Sequence, residues 1–204
     1  MTRQAVCISH ATGAEGAAVG RAVAERLGFQ YVDAEVIAEA AEWAQLDPAF
    51  VADAERRKPF VARVLGQMSE GSSSSRLASG ERARSSPTDA DLRVLITDVL
   101  RSFVERGSVV IVSHAASFAL TPGEALRVFV TASDDTRARR VSEATGAAER
   151  DGAKQVRRED GARADYLKRF YAIDRELPTH YDVVVNTDAL TPEKAAEVIA
   201  VAAA

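Results

Sequence analysis

The sequence predicts an α/β fold, a parallel sheet of about five strands covered by helices on both faces. Three observations carry that expectation. Five short runs rich in Val, Ile, Phe and Tyr, at residues 4–9, 29–32, 109–113, 126–132 and 183–186, read as strands. Stretches of helical periodicity separate them. The connections are short, and strands that alternate with helices favour a parallel sheet buried on both faces.

The elements follow in order. After the first strand come the small residues from His10 to Ala18, then a helix with Val19, Val23 and Leu27 at i, i+4 and i+8 and Gly28 as its C-cap. A second strand ends at Asp33. Residues 34–45 and 48–68 read as helices broken at Asp47-Pro48, where proline suits a first helical turn. From Ser69 the composition turns to serine and glycine, as in Glu70-Gly71-Ser72-Ser73-Ser74-Ser75, and residues 70–87 read as a mobile loop, with serine phosphorylation the competing explanation. Thr88, with Asp91 three residues on, looks like the N-cap of a helix over 89–106 that stops at Gly107. A helix over 134–144, a charged stretch over 149–160 and a helix reaching about residue 174 lie between the last two strands. Thr191-Pro192-Glu193 opens a final helix that ends in Ala204.

Composition bounds the function. The 204 residues are 47% hydrophobic and 27% charged, which fits one globular domain over 1–204 and excludes disorder of the whole chain. The net charge of -4 gives no global positive field, so nucleic acid is not an expected partner. Cys7 is the only cysteine; it forbids an internal disulfide and a cysteine-based zinc cluster, and its apolar setting reads as a core thiol. The apolar run after Met1-Thr2-Arg3-Gln4 is too short for a signal peptide and no run is long enough for a membrane helix, so a cytoplasmic protein without a membrane partner is expected.

In parallel sheets ligands gather at the carboxyl ends of the strands. That singles out His10 to Ala18, Asp33, Ser113-His114 and the segment after Ala132. Small residues leading straight into a helix can form an anion site, because unbonded amides and the helix dipole face the charge. The loop nevertheless lacks the lysine of G-x-x-x-x-G-K-[ST], and the first lysine in the chain is Lys58. Gly13, Gly16 and Gly20 alone fit an ordinary strand-to-helix turn as well as a phosphate loop.

Several separated segments together resemble the cytidylate kinase-like family, a branch of the P-loop nucleoside monophosphate kinases. Ile8-Ser9, Gly13, Gly16, Val19-Gly20 and Ala24-Glu25-Arg26-Leu27-Gly28 are similar to its Ile-Ser-Arg-Glu-x-Gly-Ser-Gly-Gly-Arg-x-Ile-Gly loop and helix. Phe29 to Asp33 resembles its second strand, and Val109 to Val112 followed by Ala116-Ser117-Phe118 resembles its central strand and turn. Most specific is the carboxyl third: Arg127-Val128-Phe129-Val130, Arg137, Arg140-Val141, Glu159-Asp160, Arg163-Ala164-Asp165-Tyr166, Arg169-Phe170-Tyr171, Tyr181-Asp182 and Asn186-Thr187-Asp188. The resemblance implies a P-loop kinase-like domain with a helical acceptor-binding insertion over 34–107 and a lid-like segment over 147–174.

It also implies site residues. Thr12, Gly13, Ala14, Gly16, Ala17 and Ala18 would bind phosphate, Asp33 would face an acceptor, and Arg137 would border the donor base. Arg158, Arg163 and Arg169, with Arg157, would be the catalytic lid arginines. Each has a plainer alternative: Asp33 as a helix N-cap, Arg137 as a surface residue, and the lid arginines as a solvated face paired with Glu159, Asp160 and Asp165. Positions 158, 162, 165 and 169 fall on one helical stripe and Tyr166, Phe170 and Ile173 on an apolar one. His10 and His114 follow two neighbouring strands; they are either a coincidental pair or, if they converge, a site for an anion when protonated or a metal when neutral, although no spacing pattern demands a metal. His180 reads as structural.

The departures from the family pattern bear on chemistry. Gly16 stands where an ordinary cytidylate kinase has its phosphate-binding lysine, and Ala18 where a threonine would ligate magnesium. Against the cytidylate kinase-like pattern, His10 and Ala17 replace arginines, Ala11 replaces glutamate, and Ser113-His114-Ala115 replaces Gly-Arg-Gly. Glu15 replaces glycine and puts a carboxylate in the loop, which repels phosphate. Two classes follow: a degenerate member that binds a nucleotide, another small phosphorylated ligand or a partner with weak or no phosphotransfer, or an active kinase using ATP and magnesium on a nucleoside monophosphate such as CMP.

Overall fold

A computed structural model describes residues 4–33, 89–113 and 116–204. The helices expected over 34–68, the mobile loop over 70–87 and His114 lie outside the described residues. The five strands are β1 (Ala5–His10), β2 (Gln30–Val32), β3 (Val109–Val112), β4 (Leu126–Thr131) and β5 (Val183–Asn186). They form one sheet in the order β2-β3-β1-β4-β5, and every pairing is parallel. β1 therefore lies between β3 and β4, where the chain reverses its direction of winding, and that switch point is where such sheets bind ligands.

The helices are α1 (Gly16–Leu27), α2 (Asp89–Arg106), the single turn α3 (Ala116–Ala119), α4 (Asp134–Thr145), α5 (Glu149–Tyr171) and α6 (Pro192–Ala203). Alternate strand residues feed two cores. Cys7 and Ile111 meet Ile96, Leu100, Phe103, Tyr166, Leu167 and Phe170 from α2 and α5 on one face. Val6, Ile8, Val110, Val128 and Val130 meet Val19 and Val23 of α1 and Ala195 and Ile199 of α6 on the other. Burial pushes the Cys7 thiol up to about 12, with Glu124 adding to it, so this cysteine is an inert core group, as the sequence suggests.

The helix ends are specified locally. Gly28 adopts the left-handed conformation after α1, and Ser133 and Thr191 cap α4 and α6 by accepting from the Thr136 and Lys194 amides. One expectation changes: the charged stretch 149–160 is the first half of a continuous 23-residue helix, α5. That half shows little apolar periodicity because it packs on α4 through a small residue. Gly152 sits so close to Ser142 and the Ala138 carbonyl that an added Cβ would overlap both. A second change is that Ala116-Ser117-Phe118 belongs to α3 rather than to a plain turn.

Candidate functional site

The loop between β1 and α1 is fixed through its carbonyls, by donors from distant parts of the chain. The His10 carbonyl accepts from Arg163 Nη1 at 3.5 Å, Thr12 from Arg137 Nη1 at 3.3 Å, Gly13 from Arg140 Nη1 at 3.4 Å, and Ala14 from Thr187 Oγ1 at 3.2 Å. In a trans peptide the next N-H points opposite to its carbonyl. The amides of Gly13 and Glu15 therefore face away from Arg137 and Thr187. The first helical amides of α1, Gly16 to Ala18, have no partner within the helix by geometry.

Backbone conformation completes this arrangement. Gly13 has φ 78°, and an added Cβ there would lie 2.7 Å from the Arg137 carbonyl oxygen, so both conformation and space call for glycine. Glu15 has φ 60° and ψ 27°, the left-handed region, although it carries a side chain. Left-handed residues within successive amides make the anion-binding concavity called a nest. Holding a non-glycine there costs about 1–2 kcal/mol, and such strain persists where surrounding contacts over-determine it.

One of those contacts corrects the picture of Glu15 as a bare repulsive charge. Its carboxylate pairs with Arg140 Nη2 at 3.0 Å. Arg140 also donates to Thr187 Oγ1 and to the Thr187 carbonyl, both at 2.9 Å, and so ties the loop to the turn after β5.

The other cations beside the loop are paired as well. Arg137 is buried, with a two-pronged contact to Asp160 at 2.9 Å and a bond to Asp134 at 2.6 Å. Desolvation opposes its charge, but its hydrogen bonds to Asp160 and Asp134 outweigh that and raise its pKa. Arg163 is buried too, bonded to Glu176 and Tyr181, and its guanidinium lies 5.6 Å from the Phe129 ring centroid. Desolvation is again outweighed, chiefly by Glu176, and the Arg163 pKa is raised. Burial likewise raises the Tyr181 phenol, whose hydroxyl donates to Glu176. Thr12 Oγ1 donates to Glu159 Oε2 at 3.0 Å, so α5 reaches the loop directly through Glu159 and Arg163, and through Asp160 by way of Arg137.

The three lid arginines do not converge. At 100° per residue, Arg158 and Arg169 lie about 20° apart around α5, and Arg163 about 120–140° from both. Arg158 is 76% exposed beside Glu159, Arg169 is exposed over the Phe170 ring, and only Arg163 reaches the loop. Asp33 follows β2 directly, and the segment it would cap lies outside the described residues. His180 is structural: its Nδ1 accepts from the Leu177 amide and its ring packs edge-on against Phe118.

His10 donates through Nδ1 to the Ala11 carbonyl at 3.2 Å, which assigns the ring proton to Nδ1, because a carbonyl only accepts. Burial lowers its pKa; the bond to Ala11 works the other way, and the Arg163 charge lowers it further. The ring is therefore neutral near pH 7 and brings no cation to the loop.

Sequence reasoning passed over Arg140, Thr187, Glu176 and Tyr181 as site residues. Arg140, Thr187 and Tyr181 are quoted in the family resemblance and Glu176 is not, and nothing in the sequence shows which groups they meet. A cavity of about 320 Å³ opens beside the loop, between α5 and the ends of β1 and β4, with Ala11, Thr131, Phe129, Arg137 and Arg163 in its wall. Ala18 offers no hydroxyl, and among the described residues no group of three or more His, Cys, Asp or Glu is placed to hold a metal ion. Among the described residues no helix is long and apolar enough to cross a membrane.

Comparison with known proteins agrees with this architecture. A solved structure of an uncharacterized protein from Eubacterium ventriosum matches with a TM-score of 0.66 at 17% identity, covering 96% of this chain and 94% of that one. Shikimate kinase from Bacteroides thetaiotaomicron matches with a TM-score of 0.52 at 15% identity, covering 96% and 95%. Both likenesses show a shared P-loop kinase-like fold. A cytidylate kinase from Ignicoccus hospitalis is 24% identical over 111 residues, which span 54% of this chain and 64% of that protein, less than two thirds of its length. The profile of the cytidylate kinase-like family matches residues 5–189. With nine-tenths of its length so matched, the chain belongs to the cytidylate kinase-like family.

Proposed function

We propose that this chain is a degenerate member of its family, which binds a nucleotide or another small phosphorylated ligand with weak or no phosphotransfer. The observation that carries it is the contrast within one loop. The left-handed backbone at Glu15 is kept at a cost in strain, held by donors from α4 and the β5-α6 turn, as an anion nest requires. The side chains that phosphoryl transfer needs are Gly16 and Ala18.

Transfer between phosphates depends on positioned cations and metal at the reacting group. Here Arg137, Arg140 and Arg163 already face carboxylates. Thr12, Gly13, Gly16, Ala17 and Ala18 would supply backbone amides rather than charge, whereas the Ala14 amide is already donated to the Ala11 carbonyl. If ATP and magnesium are used at all, Arg163 is the lid arginine best placed to help, because it touches the loop. Activity on CMP is the alternative, and the family and the cytidylate kinase relative favour it. A coupled ADP-release assay with Mg-ATP across the common nucleoside monophosphates, alongside calorimetry with the same nucleotides, separates the two: binding without turnover supports the degenerate member, and saturable turnover supports the kinase.

A further inference from the structure

Placed on the G-x-x-x-x-G-K pattern with its lysine at position 16, the two glycines of that pattern fall at His10 and Glu15. Side chains and glycines have thus changed places. A Cβ added at Gly16 would overlap Cγ, Cβ and Cδ2 of His10. The imidazole lies directly on Gly16, in the space from which a side chain at position 16 would grow.

We propose that His10 is a built-in occupant of the loop, its imidazole holding the space of the missing residue-16 side chain and deciding which anions the loop admits. The ring and Gly16 then work as a pair: no residue larger than glycine fits at 16 while His10 is present, and polyphosphates are kept from the loop floor. This rests on the loop being a phosphate site. Two observations make the ring a fixture rather than a passing rotamer. Its Nδ1 is held by the Ala11 carbonyl, and the His10 backbone is held by Arg163. The desolvated, neutral state of the ring adds that it blocks space without offering a compensating charge. In effect this is an autoinhibitory contact within the loop.

A four-protein cycle tests it: the native chain, Gly16→Ala, His10→Gly and the double variant His10→Gly/Gly16→Ala. Melting temperature is read on all four, and calorimetry with inorganic pyrophosphate and with ATP on the native chain and His10→Gly. Overpacking predicts that Gly16→Ala lowers the melting temperature by about 5 °C in the native background and much less when His10 is glycine. His10→Gly is expected to bind pyrophosphate at least about tenfold more tightly than the native chain. Equal effects of Gly16→Ala in both backgrounds would overturn the seating of the ring. Coupling without any gain in pyrophosphate or ATP affinity would overturn its role as gatekeeper. Failure of the degenerate-member proposal looks different: the native chain would turn over nucleoside monophosphates whatever the outcome of the cycle.

Discussion

Replacing Glu15 by glycine and by alanine separates two opposing energies at one position. Glu15 sits at φ 60°, and left-handed backbone costs a residue with a Cβ about 1–2 kcal/mol relative to glycine. Its ion pair with Arg140 is partly exposed, with side chains 39% and 22% accessible, so it contributes only about 0–1 kcal/mol. Glu15→Ala loses the pair and keeps the strain, so it is destabilised by up to about 1 kcal/mol. Glu15→Gly loses the pair and sheds the strain, so its stability equals or exceeds that of the parent. The two variants are therefore separated by about 1–2 kcal/mol, or roughly 2–8 °C in melting temperature for a chain of this size. Urea unfolding followed by circular dichroism measures it, and repeating it at high salt removes the pair's share. If the glycine and alanine variants prove equally stable, residue 15 is not left-handed and the nest argument fails.

The same substitution leaves Arg140 uncompensated. A unit charge about 4 Å away is worth roughly 4 kcal/mol at an effective dielectric of 20, and a half-exposed site keeps part of it, so phosphate affinity is expected to rise about tenfold. Adding Ala17→Arg, which restores a family cation, is expected to raise it further; calorimetry at equal ionic strength reads both.

Three other expectations follow from the geometry. Because the His10 pKa is lowered from 6.5 in the folded chain, the unfolded chain binds the extra proton first; stability is full above about pH 6.5 and falls on acidification below it, with a slope of up to about 1.4 kcal/mol per pH unit, and His10→Gln flattens that slope in urea titrations between pH 7 and 5. Arg163→Ala strands Glu176 beside the buried Tyr181 and is expected to cost about 3–5 kcal/mol, whereas Arg158→Ala changes stability by less than about 0.5 kcal/mol; denaturation midpoints distinguish them. Gly13→Ala combines φ 78° with an approach of 2.7 Å to the Arg137 carbonyl, and a large fall in melting temperature is expected.

The sheet was readable because buried strands announce themselves in short β-branched runs, and β5, α2 and the Gly28 cap fall where residues 183–186, 89–106 and 28 place them. α5 was split because its first half carries little besides Val156 to mark a buried face, and a helix packing through Gly152 has no apolar stripe to show. In the site, spacing located the loop and its missing lysine but could not show which charges meet. Glu15 and Arg140 are 125 residues apart, and Arg163 faces Glu176 across the end of its own helix. The seating of His10 on Gly16 depends on the turn between them, which neither residue type reveals. The family resemblance groups Arg163 with Arg158 and Arg169, although helical phase separates it from them and places it on the buried face with Tyr166, Leu167 and Phe170.

The most direct measurement is turnover itself. With the native chain, Mg-ATP and each common nucleoside monophosphate in a coupled ADP-release assay, a loop without lysine or metal-binding hydroxyl, whose neighbouring arginines face carboxylates, is expected to release no ADP above the rate without acceptor, while a small phosphorylated ligand still registers by calorimetry. Saturable, magnesium-dependent ADP release with CMP or another monophosphate, abolished by Arg163→Met in a folded variant, would contradict the account and establish an active kinase.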